Sequence, residues 1–248
     1  MQDTVRLSDM SFRYGQFEAI SDLDLTLGKG ITGLLGINGA GKSTLLRVLS
    51  GGLRPSAGSV WLHGSDPYRW RSRAKALRRV AFMPQHAVFP ANMTVHEVVS
   101  FIGWMRGMSS RESTEATKRC IDAVRLGDRS GSKIKDLSGG MLRRVALAQA
   151  LVSGPEIVLL DEPSTGLDPE QRRIMVELVG GLDATVLFSS HVIEDIEDVA
   201  QRVLILDSGR ILFDGDLPSL AARSQTNPQH RSAESGFLAV LAGKRKSG

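Results

Sequence analysis

Two stretches of the sequence hold residue types that bind phosphate and activate water. Residues 36–44 read GINGAGKST, which fits Gly-x4-Gly-Lys-Ser/Thr between an apolar run at 30–36 and a helical pattern. Glycines let successive backbone N–H groups converge on phosphate oxygens, and the helix N-terminus adds partial positive charge. In this context Lys42 can reach the outer phosphates of a nucleotide, and the Ser43 hydroxyl can ligate Mg²⁺. We therefore interpret the stretch as a phosphate-binding loop rather than as a plain glycine-rich turn.

Two carboxylates follow another apolar run, in the sequence IVLLDEP at 157–163. A buried strand that ends in Asp161 can hold its carboxylate near Mg²⁺. Glu162 falls on the opposite side of the pleat, where it can orient and deprotonate an attacking water. A strand-terminal Asp-Glu pair alone is as often structural as functional, so the phosphate loop in the same predicted core is what favours the catalytic interpretation.

The order of apolar patterns predicts an α/β fold. Short strands with period-two alternation fill the first sixty residues, which predicts an N-terminal antiparallel β subdomain with one wet face. Residues 86–153 are helical, and we interpret them as a helical subdomain inserted into a parallel-sheet core. Later patterns predict a helix at 192–201 and a hairpin at 202–215, turned at 207–209. The core strands are predicted from apolar runs at 30–36, 78–85, 156–163 and 184–191.

A single nucleotide-binding domain is predicted over residues 1–221, followed at 222–248 by a linker and a tail. Residues 222–236 are polar and predict a flexible linker. The tail, FLAVLAGKRK at 237–246, is short and amphipathic, and we expect it to dock on a protein surface. A disordered basic tail is the alternative. The side chains expected to be buried by docking are Phe237, Leu238 and Leu241.

Composition bounds the class of protein. Of the 248 residues, 42% are hydrophobic and 23% charged, which favours a globular domain, and the net charge of +4 fits nucleotide, nucleic acid or an anionic membrane. The single cysteine, Cys120, excludes an internal disulfide and favours a reducing compartment. Because the N-terminus is polar and no apolar run of about 18 residues occurs, we expect a cytoplasmic chain. The basic run RWRSRAKALRR at 69–79 is interpreted as the solvated face of a helix rather than a nucleic-acid or lipid surface.

Together these motifs resemble the ATP-binding cassette (ABC) ATPases that drive membrane transporters, over about residues 3–220. The stretch KDLSGGMLRRVALAQALV at 135–152 is similar to that family's signature motif. The resemblance implies that two cassettes pack head to tail, so that the signature of one chain caps the γ-phosphate bound to Lys42 of the other. Met141 stands where the family usually has Gln, and we expect phosphate capping to survive this change. The signature positions are Ser138, Gly139, Gly140 and Met141.

The resemblance also assigns single residues to ATP, Mg²⁺ and the dimer seam. Tyr14 matches the adenine-stacking aromatic, Gln85 the residue that touches Mg²⁺ or the lytic water, and His191 the switch histidine at the γ-phosphate. Asp168 matches the residue at the dimer seam. The implied catalytic residues are Lys42, Glu162 and His191, and the implied Mg²⁺ ligands are Ser43, Gln85 and Asp161. The implied ATP contacts are Tyr14, Gly36, Ile37, Asn38, Gly39, Ala40, Gly41, Lys42, Ser43, Thr44, Gln85 and His191.

The implied function is Mg²⁺-dependent ATP hydrolysis that powers a transporter through a separate membrane permease. The cassette would lie on the inner face of the cell membrane, held by the permease, and we favour a homodimer over a heterodimer. Residues 93–108 and 233–243 resemble segments of bacterial drug- and lipid-exporter ATPases, so export is favoured over import. Two different functions stay open: a soluble ABC ATPase acting on ribosomes or DNA, and a regulatory module that binds ATP without turnover. No nucleic-acid partner is expected.

Overall fold

The computed structural model describes residues 4–224 and 232–245. The strands in these ranges are β1 Val5–Tyr14, β2 Phe17–Leu27, β3 Gly30–Leu35, β4 Ala57–Leu62, β5 Val80–Met83, β6 Ile157–Asp161, β7 Thr185–Ser190, β8 Arg202–Asp207 and β9 Arg210–Gly215. The helices are α1 Lys42–Leu49, α2 Trp70–Leu77, α3 Val95–Met105, α4 Ser110–Ala123, α5 Gly139–Leu151, α6 Pro169–Gly180, α7 Glu194–Glu197, α8 Leu217–Ala222 and α9 Ala233–Arg245.

Strands β1, β2 and β4 form an antiparallel sheet in the order β2-β1-β4. Buried and exposed residues alternate along β2 from Leu23 to Leu27, so one face of the sheet is apolar. Leu7 on β1 pairs with Leu25 on one side and Val60 on the other, and all three belong to the same core cluster. The predicted antiparallel subdomain with one wet face is confirmed.

The second sheet has six strands in the order β5-β6-β7-β3-β8-β9. The first five run parallel, and β9 closes the edge antiparallel to β8, which confirms the predicted hairpin. Every residue of β6 and β7 is buried, as expected of parallel strands covered on both faces. Leu35 pairs with Ser190 and Asp161 with Ser189, so β3, β6 and β7 end at the same edge of the sheet. The phosphate loop and the two carboxylates therefore emerge side by side.

Helices α3, α4 and α5 lie between β5 and β6, as predicted for an inserted helical subdomain. A capping box starts α3, because the Thr94 hydroxyl accepts from the Glu97 N–H at 3.1 Å and the Glu97 carboxylate accepts from the Thr94 N–H at 2.7 Å. A second capping box starts α4, formed by Ser109 and Glu112. Ser109 caps α4 because it is the residue with a glutamate three positions ahead.

The helix predicted at 192–201 is wrong in extent, since α7 is a single turn. The chain leaves the helix there because Gln201 pairs with β3: its N–H donates to the Ile31 carbonyl at 3.0 Å and its side-chain oxygen accepts from the Ile31 N–H at 2.6 Å. The basic run at 69–79 does form a helix, in which Ala76 is the buried residue. Among the described residues, no helix combines the length and the apolar character needed to cross a bilayer.

The segment predicted as a linker is shorter at both ends than 222–236. Ala222 is the last residue of α8, and α9 already begins at Ala233. Residues 225–231 lie outside the described part of the chain, so the predicted flexibility stays a prediction there.

Helix α9 docks against α8 and the core, in agreement with the prediction for the tail. Phe237 is 9% exposed, and Leu241 is partly buried against the main core cluster. Leu238 was predicted to be buried but is 58% exposed. The error has a simple cause: residues adjacent in a helix are separated by about 100°, so a face that buries Phe237 turns Leu238 outward.

Candidate nucleotide site

The phosphate loop connects the end of β3 to α1. Gly41 caps the helix with φ of 108°, and a Cβ there would lie 2.8 Å from the Ala19 carbonyl oxygen, so a larger residue would be strained and crowded. Lys42 is the first residue of α1, and its Nζ donates to the carbonyl oxygens of Gly36 at 2.7 Å and Ile37 at 3.2 Å. The lysine ammonium is therefore folded back over the loop.

The same ammonium pairs with a carboxylate from the neighbouring strand. Lys42 Nζ lies 3.5 Å from Glu162 Oε1, and the two side chains are 5% and 9% exposed. Burial lowers the pKa of Lys42, and the negative charges of Glu162 and Asp161 oppose that shift. A buried cation of this kind, held beside an anion, is suited to exchange its partner for an incoming phosphate.

Asp161 is held by two serines. Its Oδ1 accepts from Ser43 Oγ at 3.1 Å and from Ser189 Oγ at 2.9 Å, and the Ser189 oxygen accepts in turn from the Glu162 N–H at 3.0 Å. The carboxylate is 3% exposed. An anionic oxygen beside a hydroxyl on a helix N-terminus is a donor set that suits Mg²⁺, which prefers oxygen ligands and keeps sites open for phosphate and water. Ser43 and Asp161 therefore fit the predicted metal site.

Gln85 is placed differently from the other predicted Mg²⁺ ligands. It follows β5 closely, and its side-chain Nε2 donates to Glu162 Oε2 at 3.0 Å. The structure therefore brings Gln85 to the proposed catalytic carboxylate rather than to the Ser43–Asp161 pair. The family resemblance offered two roles for Gln85, binding Mg²⁺ or touching the lytic water. The hydrogen bond to Glu162 favours the second role.

Glu162 lies at the centre of the site. Its backbone has φ of 46°, an uncommon conformation for a residue other than glycine, and such conformations concentrate at functional sites. Its Oε2 accepts from Thr165 Oγ1 at 3.0 Å and lies 3.3 Å from His191 Nδ1, in addition to the Gln85 contact. A carboxylate fixed by three side chains can hold a water in one orientation and accept its proton.

The side chains of Lys42, Gln85 and Glu162 line a cavity of about 620 Å³, a volume large enough for a small-molecule ligand. Tyr14 lies at its rim, 46% exposed, with its hydroxyl 3.5 Å from Thr44 Oγ1 and its ring edge-on to Phe12 at 4.8 Å. A half-exposed ring fixed in this way offers a face for stacking a base. The lining consists of Tyr14, Phe17, Ala19, Asn38, Gly39, Ala40, Gly41, Lys42, Ser43, Thr44, Gln85, Glu162, Thr165 and His191.

The signature residues do not line that cavity. Ser138 caps α5, its Oγ accepting from the Met141 N–H at 3.3 Å, and Ser138 and Gly139 are exposed. Gly140 is buried against Gln171, whose N–H donates to the Asp168 carboxylate at 2.9 Å. The structure thus brings the signature and Asp168 together and separates both from the nucleotide cavity of their own chain.

Several contacts that build the site were not anticipated from the sequence. Ser189 bridges Asp161 and Glu162, and Thr165 bonds the Glu162 carboxylate. Arg143 of α5 donates to the Gln85 carbonyl and, at 3.3 Å, to the Thr165 carbonyl. Polar residues that end a buried apolar strand, as in VLFSSH, were the signal for Ser189. No comparable signal marks Arg143, because its partners are distant in sequence.

Comparison with known proteins identifies the class. A family profile described as "ABC transporter" matches residues 20–165. Together with the sheet order and the nucleotide site, this match shows that the chain belongs to the ATP-binding cassette family of ABC transporter proteins.

Relatives from several bacteria are similar over most of the chain. Daunorubicin resistance ATP-binding protein DrrA3 of Streptomyces coeruleorubidus is 35% identical, over 90% of this chain and 72% of its own. Nod factor export ATP-binding protein I of Burkholderia lata is 37% identical, over 82% of this chain and 67% of its own. Methionine import ATP-binding protein MetN of Mesorhizobium japonicum is 35% identical, over 91% of this chain and 64% of its own.

Solved structures support the fold. The structure of an ATP-binding subunit of an ABC transporter matches with a TM-score of 0.83 and 24% identity, over 96% of this chain and 99% of that one. A dimeric bacterial ABC transporter cassette matches with a TM-score of 0.77 and 23% identity, over 86% and 98%. The predicted cassette fold is therefore confirmed, including the antiparallel subdomain beside the main sheet.

Proposed function

We propose that this cassette hydrolyses ATP with Mg²⁺ and powers the export of a substrate through a separate membrane permease. The observation that carries the proposal is the arrangement around Glu162, a carboxylate positioned by Gln85, Thr165 and His191 beside the phosphate loop. Glu162 would accept the proton of the attacking water, and the buried Lys42 would meet the outer phosphates of ATP. When bound, Mg²⁺ would sit at Ser43 and Asp161 and neutralise phosphate charge.

The catalytic unit would be a head-to-tail dimer of two copies of the cassette. Ser138 and Gly139 are exposed and lie outside the nucleotide cavity of their own chain, so their phosphate-binding capacity is available to a second molecule. Asp168 lies on the same side, near Gly140 through Gln171. A two-fold arrangement forms both shared sites with one kind of contact, which is why we favour a homodimer.

The permease would dock in a groove between the main sheet and the helical subdomain. This groove has a volume of about 370 Å³. Two of its apolar side chains are largely open to solvent, since Val88 is 93% and Met105 is 63% exposed. It adjoins the segment after Gln85, so movement of Gln85 on ATP binding would reach the docked permease. The cassette would in this way lie on the cytoplasmic face of the membrane.

Export is preferred because two of the similar proteins carry resistance or export in their names, DrrA3 and the Nod factor protein. Import is the second candidate, because the methionine import protein MetN is similar over 91% of this chain.

Inside-out membrane vesicles from cells that express the cassette together with a candidate permease would test the proposal. Daunorubicin serves as the first probe. We expect ATP-dependent accumulation of the probe inside these vesicles, and none with Glu162→Gln. Uptake of the probe only by right-side-out vesicles would indicate import. Co-sedimentation of the cassette with ribosomes and not with membranes would contradict any transport role.

A further inference from the structure

Besides Asp161 and Glu162, the side chain of Asp195 is a further buried carboxylate, and it does not line the nucleotide cavity. It is 2% exposed. Its Oδ2 accepts from Ser164 Oγ at 2.6 Å and from Ser190 Oγ at 2.9 Å, while its Oδ1 accepts from the Arg172 guanidinium. Three different segments of the chain therefore meet at one side chain.

Each of these segments also carries a residue of the proposed mechanism. Ser164 lies two residues after Glu162, and Ser190 is adjacent to His191. Arg172 belongs to the first turn of α6, the helix that Asp168 caps. Asp195 thus touches the two segments that act on the nucleotide of its own chain and the one segment placed to act on the nucleotide of the partner.

The connection continues to the signature motif. Gln171, next to Arg172 on α6, contacts Gly140, and its N–H donates to Asp168. A displacement of Gly140 by a partner's nucleotide would therefore press on the same helix turn that the Asp195–Arg172 pair holds.

We propose that Asp195 is a positioning residue that keeps Glu162 and His191 in register with Asp168 and the signature, so that dimer closure and hydrolysis are coupled. The inference rests on the proposed ATPase function and extends it. A buried carboxylate costs free energy unless every oxygen is bonded, and an apolar side chain would fill the space at lower cost. The hydroxyls of Ser164 and Ser190 and the Arg172 guanidinium can all donate to Asp195 only when the three segments keep one relative arrangement, so a shift of any one segment costs hydrogen bonds in this network.

Asp195→Asn is the direct test, because it keeps the shape of the side chain and removes the charge that Arg172 binds. We expect the affinity for a fluorescent ATP analogue to stay within about twofold, since the cavity is untouched. We expect kcat to fall by about 10–100-fold, the range that small misplacements of reacting groups produce. The Hill coefficient for ATP should fall towards one, because the two sites would no longer close together.

Matched variants distinguish a positioning role of Asp195 from a general effect of removing a carboxylate. Asp198→Asn alters an exposed carboxylate three residues away and should leave kcat and the Hill coefficient unchanged. If Asp195→Asn does not fold, Ser190→Ala and Ser164→Ala each remove one bond to the same oxygen and should give a smaller loss in kcat with unchanged nucleotide affinity. Their effects should be non-additive in the double variant.

Two results would overturn the inference. One is an Asp195→Asn protein with wild-type kcat and Hill coefficient. The other is a parallel loss of nucleotide affinity, melting temperature and kcat in all three variants, which would indicate a structural role only. A wild-type protein without ATPase activity would instead contradict the proposed function, so the two failures are distinguishable.

Discussion

Lys42 Nζ lies 3.5 Å from Glu162 Oε1, which places the proposed phosphate-binding cation directly against the proposed catalytic base. The ammonium has three donors, and two of them are directed at the Gly36 and Ile37 carbonyls. A phosphate that binds Lys42 competes with Glu162 for the same charge. Nucleotide binding would thus free the base at the moment when the γ-phosphate arrives.

Lys42→Ala should abolish ATP hydrolysis, because it removes the charge that meets the outer phosphates and leaves Glu162 buried without a cation. Release of inorganic phosphate measures the effect. Lys29→Ala is the control, since Lys29 is exposed and pairs with Asp183 at 2.6 Å, away from the nucleotide cavity. Wild-type phosphate release by Lys42→Ala would show that the phosphate loop is assigned wrongly.

The two signature glycines should respond differently to alanine. A Cβ at Gly140 would lie 2.6–2.7 Å from the Gln171 side chain, whereas a Cβ at Gly139 meets no atom within 4 Å. Gly140→Ala should therefore lower the free energy of unfolding by about 1–3 kcal/mol, the usual cost of overpacking. Gly139→Ala should leave it unchanged or slightly higher.

Urea denaturation of both variants measures this difference. Adding Gln171→Ala to Gly140→Ala should restore stability if the clash is the cause. Equal stability of the two single variants would show that Gly140 does not pack as described.

The buried core strands and the nucleotide loop were predictable because they depend on local patterns. Apolar runs of four to six residues, each followed by a motif, identify buried parallel strands, as at Leu35 and Asp161. The length of α7 was not predictable, since the sequence after Glu197 keeps a helical pattern and the two hydrogen bonds between Gln201 and Ile31 draw the chain onto β3 instead. Tertiary hydrogen bonds outweighed local propensity at that point.

The docking of α9 should depend on Phe237 and not on its neighbour. Phe237 is 9% exposed and Leu238 is 58% exposed on the same helix. Phe237→Ala should cost up to about 3–5 kcal/mol of docking free energy, so amide exchange across α9 should become fast. Leu238→Ala should change stability by no more than about 0.5 kcal/mol and leave exchange slow. Fast exchange of α9 in the unmodified protein would contradict the docked helix.

Glu197 and Glu97 should give opposite pH effects. Burial raises the pKa of Glu197, helped by the charges of Glu194, Asp198 and Glu234, so its ionised form weakens the folded state. The penalty is absent below the unfolded pKa and grows as pH rises through the raised folded pKa. Glu197→Gln should therefore raise the melting temperature near neutral pH, and the gain should shrink as pH is lowered towards about 4.

The pKa of Glu97 is shifted in the opposite direction to that of Glu197, so its effect on stability has the opposite pH dependence. Hydrogen bonds from the Thr94 backbone and side chain lower its pKa, so its stabilising effect is present above the unfolded pKa and is lost as pH falls through the folded value. Glu97→Gln should lower the melting temperature near neutral pH and lose that effect in acid. Melting curves across this range measure both variants, and shifts of the same sign would contradict the assigned causes.

The candidate site was predictable in its residues but not in its connections. Lys42, Ser43, Asp161, Glu162 and His191 come together as the motifs implied. The bonds that fix them run through side chains whose partners are distant in the sequence. Such contacts follow from the packing of β6 against β7 and of α5 on the core, which no local pattern encodes. Two residues make such long-range bonds: Arg143, which donates to the Gln85 and Thr165 carbonyls, and Ser189, which bonds Asp161 and the Glu162 N–H.

Glu162→Gln should slow ATP turnover by about 10²–10⁴-fold, because glutamine keeps the size and hydrogen bonding of the side chain but cannot take a proton. ATP would then remain between Lys42 of one chain and Ser138 of its partner. Ser138→Arg should fill the exposed phosphate cradle and leave ATP bound through the chain's own loop. The double variant separates these two effects.

Size-exclusion chromatography with light scattering of Glu162→Gln, with and without Ser138→Arg, tests the shared site most directly. We expect Glu162→Gln to be a dimer in ATP and a monomer in ADP, since only the γ-phosphate joins the two halves. The double variant should be a monomer in both nucleotides while still binding ATP. An ATP-dependent dimer that persists with Ser138→Arg would show that the signature of one chain does not complete the nucleotide site of the other.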